Sequence, residues 1–575
     1  NSAAAWLYGK DPLVTLRYEE PLQQLREQIA TGPYFEEFIE RHLLANPHNL
    51  RVTMVPDVEF EVKRRQRLQQ TLEETRSTLS PEQIEELIRE NEKLQQLQNQ
   101  PNSPEALATI PKLPLSAIPR EQEIFPLEIV DAEKGLLFSP QKTNGIAYLI
   151  FDFEIDQIPE AYIPWLPLYA SVLPKLGTRE FDYVELTREI NIHTGGISFS
   201  PSLQQIWQEP DSQTLRLQIN AKAVHLRVPK LIELITAMLE KPNFNQPQRI
   251  RESLQNRRSA METSLKSAGH RYALSRILAT QHKTGFVREL LSGIEQFLFQ
   301  RRTERQFEKD PQKVSEILSH LHQWIVTRKR LRIHLTGTSA ELDTLKKNLH
   351  LLDKLPAHIP AALPDLPWTS PQITANEAIA APAKVNFVAA GINLFKQNYP
   401  VRGEGMLLAR FISSEYLWNE VRVKGNAYGA GCSYHFGSGN FTCNSYRDPH
   451  LMETLQTFLA IPDFLMQFTM PQSELEKFII STIGKLDSPR SPDEKGATAF
   501  NRYLTGVKAE DLQRLREEIL DCEWGKLLEN FLPAMETFAH KTNYCVVAAR
   551  ETLTSAPETS SRFSRILDPF EPLPE

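Results

Sequence analysis

The chain has 575 residues, more than a single hydrophobic core supports, so three or four folding units are expected. Hydrophobic residues at 41% and charged residues at 24% match ordinary globular composition and exclude global disorder, a collagen repeat and a disulfide-dense scaffold. With 65 basic against 72 acidic residues the net charge is −7, which argues against nucleic acid as the main partner.

The chain opens at Asn1 without a methionine, and Trp6-Leu7-Tyr8-Gly9 reads as mid-domain material, so a fragment or processed product is expected. Residues 1–57 then form the end of a preceding domain or a connector. The N-terminus has neither the basic nor the apolar region of a signal peptide, and no stretch approaches 18 uninterrupted apolar residues. A soluble chain with no membrane partner is expected.

Residues 58–100 read as a helical hairpin. Leu68, Leu72 and Leu79 recur at helical spacing until Ser80-Pro81-Glu82-Gln83, a helix start with a capping serine, proline in the first turn and a glutamine placed to reach back. Ile84, Leu87, Ile88 and Leu94 make a second stripe. The break at Pro81 favours an intrachain hairpin over a coiled-coil dimer.

A proline-rich linker, 101–125, leads into an α+β domain over 126–354. Gly145 to Phe151 is a buried-strand pattern, while Leu215, Leu217 and Ile219, and Leu331, Ile333 and Leu335, alternate with polar neighbours as in strands with one wet face. A second linker rich in proline and alanine covers 355–382, and a second α+β domain, 383–575, follows. It starts with a strand near Val385 to Ala390, continues through helix around Met406 to Val421 and glycine-rich strands from Gly425 to Ser445, and has a late strand at Tyr544 to Ala549. Strands and long helices mix without strict alternation, so the fold class is α+β: a helical connector followed by two similar sandwich-like domains.

Cys432, Cys443, Cys522 and Cys545 show no C-x-x-C pair, which argues against a thiolate metal site and for a reducing compartment. Two histidines with a carboxylate at helical spacing, the arrangement that puts zinc ligands and a general base on one face, are missing. His450-Leu451-Met452-Glu453-Thr454 lacks the second histidine, and Ser319-His320-Leu321-His322 lacks the acid. His334 falls on the polar side of its strand pattern, and Arg328-Lys329-Arg330 reads as a solvated strand entrance. No G-x-S-x-G or phosphate-cradling glycine pattern occurs.

The most unusual local composition is Trp418-Asn419-Glu420-Val421-Arg422-Val423-Lys424-Gly425-Asn426-Ala427-Tyr428-Gly429-Ala430-Gly431. A helix is expected to end near Val421, followed by a glycine turn and a strand from Tyr428 whose glycines admit close backbone approach. Taken alone this is compatible with plain fold punctuation or with a site.

The run from Arg422 to Tyr428, with Ser445-Tyr446-Arg447-Asp448-Pro449 downstream, resembles the C-terminal half of presequence proteases, a branch of the insulinase-type zinc metallopeptidases, peptidase family M16. The likeness extends to Asn46-Pro47-His48, Ala106 to Pro111, Thr194-Gly195-Gly196-Ile197-Ser198, Ser267-Ala268-Gly269-His270 and Ser481-Thr482-Ile483-Gly484. It implies that 126–354 and 383–575 are the third and fourth of four related α+β domains that close round a peptide. It also implies a partner N-terminal half that carries H-x-x-E-H and holds zinc, so this chain alone binds no zinc and is inactive.

On that resemblance Arg422 and Tyr428 are the catalytic pair, acting on peptide substrates of the targeting-peptide type. The implied compartments are bacterial cytoplasm, mitochondrial matrix or chloroplast stroma. The alternative is a non-catalytic structural or assembly subunit of the same superfamily.

Overall fold

The computed structural model describes residues 2–57, 59–100, 102–111, 113–358, 362–555 and 560–572. The chain divides into two compact units, 1–112 and 113–575.

The first unit is helical. Its two longest helices, Phe60–Thr78 and Pro81–Asn99, flank Ser80, whose hydroxyl accepts from Gln83 N (3.3 Å) while the Gln83 side chain accepts from Ser80 N (2.9 Å). The capping box expected from the sequence is therefore in place. The packing expected of a hairpin is not: Leu68, Leu72, Leu87, Ile88 and Leu94 stay 52–61% exposed. Leucines at helical spacing specify a sticky face without specifying what covers it, and here neither helix covers the other. No described apolar side chain before Phe125 is buried.

In the second unit, twelve strands among the described residues form two six-stranded sheets. The first contains β1 (Glu128–Asp131), β2 (Leu136–Pro140), β3 (Ile146–Glu154), β4 (Ile197–Gln205), β5 (Gln213–Val224) and β6 (Leu331–Gly337), in the order β1-β2-β6-β3-β5-β4. The second contains β7 (Glu377–Ala380), β8 (Phe387–Asn393), β9 (Gly429–His435), β10 (Asn440–Tyr446), β11 (Asn543–Ala548) and β12 (Arg565–Leu567), in the order β12-β7-β11-β8-β10-β9.

Five strands correspond one to one. β2 and β6 pair in parallel as β7 and β11 do, and the remaining three pairings of each set are antiparallel. The sixth strand differs. β1 comes from before its sheet's first core strand and pairs antiparallel, whereas β12 comes from the end of the chain and pairs parallel.

Period-two burial explains the central strands. Leu149, Phe151 and Phe153 of β3 and Leu215, Leu217 and Ile219 of β5 point into one core, with Phe151 registered between Ile219 and Ile333. The wet faces read from the sequence are absent, because Arg216, Gln218, His334 and Thr336 are also buried. A helix from the far end of the chain, Pro492–Thr505, covers them. Gly496 permits the approach, since a Cβ there would sit 1.8 Å from Thr336 Oγ1. Phe500 stacks on the His334 ring at 4.8 Å.

The cover is reciprocal. The helix Gly269–Gln281 lies across β8 and β11 of the second sheet, burying Tyr272, Ala273 and Ile277 against Phe387, Ala389, Cys545 and Val547. A Cβ on Gly269 would meet the Phe387 ring at 2.5 Å. β8 is thus buried on both faces, which accounts for its continuous apolar run.

The segment 355–382, read as a linker, ends in the strand β7, so the second sheet starts at Glu377 rather than at 383. Glu377-Ala378-Ile379-Ala380 has one β-branched residue and little intrinsic strand preference; parallel pairing with β11 recruits it.

Glu377 receives Arg276 from the bridging helix. The guanidinium, 1% exposed, donates from Nε to one Glu377 oxygen, from Nη2 to the other (3.4 Å), and from Nη1 to Glu295 (2.8 Å) and Glu289 (3.4 Å). Burial opposes its charge, but the Glu377 hydrogen bond and the three carboxylates hold it above its usual range. Removing one partner of such a buried cluster typically costs about 3–5 kcal/mol, because the charge left behind is uncompensated. Glu377→Ala should lower the urea midpoint of this chain by a corresponding amount, while Lys477→Ala, which removes an exposed pair with Glu474, should leave it unchanged.

Candidate active site

The helix Glu404–Phe411 continues as a widened π-helical run, Ile412–Lys424, a geometry common at functional sites. Ser413 ties this run to the edge strand β9. Its hydroxyl accepts from Cys432 N (2.8 Å) and donates to Cys432 O (3.1 Å). The run stops at Gly425, where a Cβ would lie 2.6 Å from Val421 O. Asn426 then turns the chain in the left-handed region (φ 58°), a conformation asparagine tolerates. Tyr428 N next bonds to Arg447 O (3.2 Å), and Gly429 opposes Tyr446 at the head of β9.

This turn brings the sequence-predicted pair together. The Arg422 guanidinium carbon lies 6.0 Å from the centroid of the Tyr428 ring, and Tyr428 is 65% exposed. Arg422 is exposed as well, and its guanidinium stacks on Trp418, one helical turn back, at 3.9 Å. Among the described residues Arg422 forms no ion pair; the neighbouring acid, Glu420, is taken by Lys424 at 2.6 Å.

Three further residues complete the surface. Arg447 places a second guanidinium 5.9 Å from the Tyr428 ring, on a backbone held at φ 50°. Such a conformation is costly for a non-glycine residue and persists where its surroundings enforce it. Here the enforcing group is Asp448. It exchanges backbone hydrogen bonds with Asn386 (2.8 and 2.9 Å), and its buried carboxylate accepts from His450 N and Thr454 Oγ1. Tyr446 packs edge-on against Tyr428 (5.6 Å), and His270 of the bridging helix packs edge-on against Tyr446 (5.2 Å). The Trp418–Arg422 contact fits the helical spacing of the two residues, whereas nothing in the sequence announces the strained backbone of Arg447.

The other histidines weighed from the sequence do not converge. His322 is buried between Tyr169 OH (2.8 Å) and Leu239 O (3.0 Å), and His334 reaches Ser139 Oγ (3.0 Å) beneath Phe500. His320 and His450 are exposed and apart from them. Arg330 of the basic run is not solvated: it is buried, stacked on Trp324 at 3.7 Å and bonded to Glu154 O. Among the described residues no three His, Cys, Asp or Glu side chains gather as a metal site requires, so these residues do not fit a zinc ion. No described helix is long and apolar enough to cross a membrane.

Two family models match, the peptidase M16 subgroup C associated model over residues 54–302 and the PreP C-terminal domain over residues 376–551. The chain belongs to the presequence-protease branch of the M16 peptidases. It is 31% identical over 570 residues to presequence protease 1, chloroplastic/mitochondrial, of Arabidopsis thaliana, covering 98% of this chain and 52% of that protein. Protein HypA of Clostridium perfringens is 30% identical over 551 residues (96% and 56%), and the mitochondrial presequence protease of Xenopus laevis is 24% identical over 549 residues (90% and 52%). The chain spans about half the length of these relatives.

The buried histidines predict an acid-sensitive fold. Desolvation depresses His322 and His282 to about 4 and His334 to about 3, from an ordinary 6.5. A depressed histidine contributes stability that is full above pH 6.5 and is lost as the pH falls toward the folded value, because the unfolded chain takes up the proton first. Each contributes about 1.4 kcal/mol per pH unit across that window. The urea midpoint should therefore fall between pH 7.5 and pH 5.0, and His334→Gln should flatten the dependence by about one proton.

Proposed function

We propose that this chain is the C-terminal half of a peptide-degrading M16 metalloendopeptidase, and that Tyr428 and Arg422 stabilise the tetrahedral intermediate formed on the scissile peptide bond. The observation that carries the reading is the exposed phenol flanked by guanidiniums held by stacking instead of by a carboxylate. When a water-derived oxygen adds to a peptide carbonyl, the carbonyl oxygen gains a full negative charge. The Tyr428 hydroxyl donates a hydrogen bond to it, and the Arg422 guanidinium supplies positive charge there, or clamps the neighbouring peptide carbonyl. Both contacts strengthen as charge develops, so they favour the transition state over the bound substrate.

The zinc and the H-x-x-E-H that activates the water belong, in this reading, to a separate N-terminal half, and the isolated chain is inactive. The exposed apolar side chains of the first unit, among them Trp6, Leu16, Phe35, Phe60 and Leu72, support such a partner, since apolar area of this extent normally lies in an interface. The two sheets are its third and fourth domains, 126–354 and 383–575, with β7 joining the fourth. The substrates are short unstructured peptides, as the name presequence protease indicates for the relatives, and the compartment is chloroplast stroma or mitochondrial matrix, or cytoplasm in a bacterium. A non-catalytic assembly subunit is disfavoured, because it has no use for unpaired guanidiniums around an exposed phenol.

Steady-state kinetics on the protein joined to its N-terminal half test the reading. Tyr428→Phe should lower kcat by about 10² to 10³ with little change in KM, the loss typical of one oxyanion donor. Arg422→Ala should depress kcat and raise KM, because a guanidinium also positions the bound peptide. Unchanged turnover in Tyr428→Phe would make the pair structural.

A further inference from the structure

A second group of unpaired cations lies on the other side of His270. A cleft of about 740 Å³ opens between the helices Pro247–Ser267, Gly269–Gln281 and Lys283–Ser292 and the edge strand β4. Its floor is apolar, built from Met261, Leu274, Leu278 and Leu291 with Leu203 of β4. Arg257, Arg271 and Arg288 line it, and no carboxylate does.

The absence of counter-charge is local. Elsewhere on the Pro247–Ser267 helix, Arg249, Arg251 and Arg258 pair with Glu252, Glu308 and Glu304. Among the described residues, Arg257, Arg271 and Arg288 form no ion pair. Arg257 Nε donates to the Gln300 amide oxygen at 3.2 Å, a neutral partner. The buried acid behind the cleft, Glu289, is held by Arg276 and accepts from Ser275 Oγ at 2.6 Å. Half-buried Arg257 is pulled down by burial to about 10, so it stays protonated near neutrality. Three like charges around one concavity repel one another and focus a positive potential into it, and an anion relieves both costs. Guanidinium forks match the planar oxygens of a carboxylate.

The cleft lies close to the site. Arg271 follows His270 in the chain, and two successive ring contacts, 5.2 and 5.6 Å, lead from His270 through Tyr446 to Tyr428.

We propose that this cleft is a carboxylate-binding subsite: it takes the C-terminal carboxylate or an acidic side chain of a bound peptide, with the adjoining apolar side chain on the leucine and methionine floor. The peptide as ligand rests on the function proposed above; the preference for a carboxylate rests on the cleft alone.

Fluorescence anisotropy on this chain tests it, using a labelled pentapeptide ending in Leu-Asp, its counterpart ending in Leu-Asn-amide, and inorganic phosphate as competitor. The acid should bind at least about tenfold tighter than the amide. Arg271→Gln and Arg288→Gln, both exposed positions whose fold is checked by circular dichroism, should each remove most of that difference and leave the amide unaffected. Tyr428→Phe should bind the acid as the parent does, which separates this test from the turnover test. Equal binding of acid and amide, or arginine variants without effect, would overturn the subsite. Phosphate that competes as tightly as the peptide would also overturn it, by reducing the cleft to a simple oxyanion site.

Discussion

The arrangement of the second unit depends on one buried guanidinium. Arg276 sits at the junction of the two sheets with three carboxylates around it, one from the second sheet's β7 and two from the helical region that follows its own helix. In water such a group would be solvated and indifferent to geometry. Out of water its charge must be matched within hydrogen-bond distance, and the placement of the bridging helix against β7 does so. That placement also sets His270, on the same helix, against Tyr446, and so fixes one wall of the surface around Tyr428. Stability and the geometry of the candidate surface meet in one buried residue.

The two cationic regions use a different device. Around Tyr428 the guanidiniums are oriented by aromatic faces, with Trp418 beneath Arg422 and Tyr446 beside Arg447. Stacking fixes a planar cation in direction without neutralising it, whereas a carboxylate would fix it and cancel it. Arg276, which must be silent, is enclosed by acids. Arg422 and Arg447, which face solvent, are enclosed by rings.

Much of this was legible in the sequence. Period-two patterns located β3, β5 and β6, the Ser80 capping box marked a helix start, and the composition from Trp418 to Gly431 marked a helix end, a glycine turn and a strand start. What escaped depends on parts of the chain far apart in sequence. Arg216, Gln218 and His334 look like a wet strand face because their cover, Pro492–Thr505, lies more than 150 residues away from them. β7 looks like linker because its partner β11 arrives at residue 543. Arg447 owes its backbone to the interlock of Asp448 with Asn386, a contact that residue types alone do not announce. The stripes of the first unit were correctly read as apolar, but an apolar stripe does not name its partner.

The exchange of helices has a topological consequence. Each sheet packs a core of its own half on one face and is roofed on the other face by a helix that belongs, along the chain, to the other half of the unit, so neither half covers both faces of its own sheet. Severing the segment between Leu363 and Asn376 would leave two pieces that still interlock, with Gly496 in one roofing helix close against Thr336 and Gly269 in the other close against Phe387. Such pieces are set for fragment complementation: each exposes a raw sheet face when alone and recovers its shape on meeting its complement. The covalent link between the halves serves local concentration more than it serves shape.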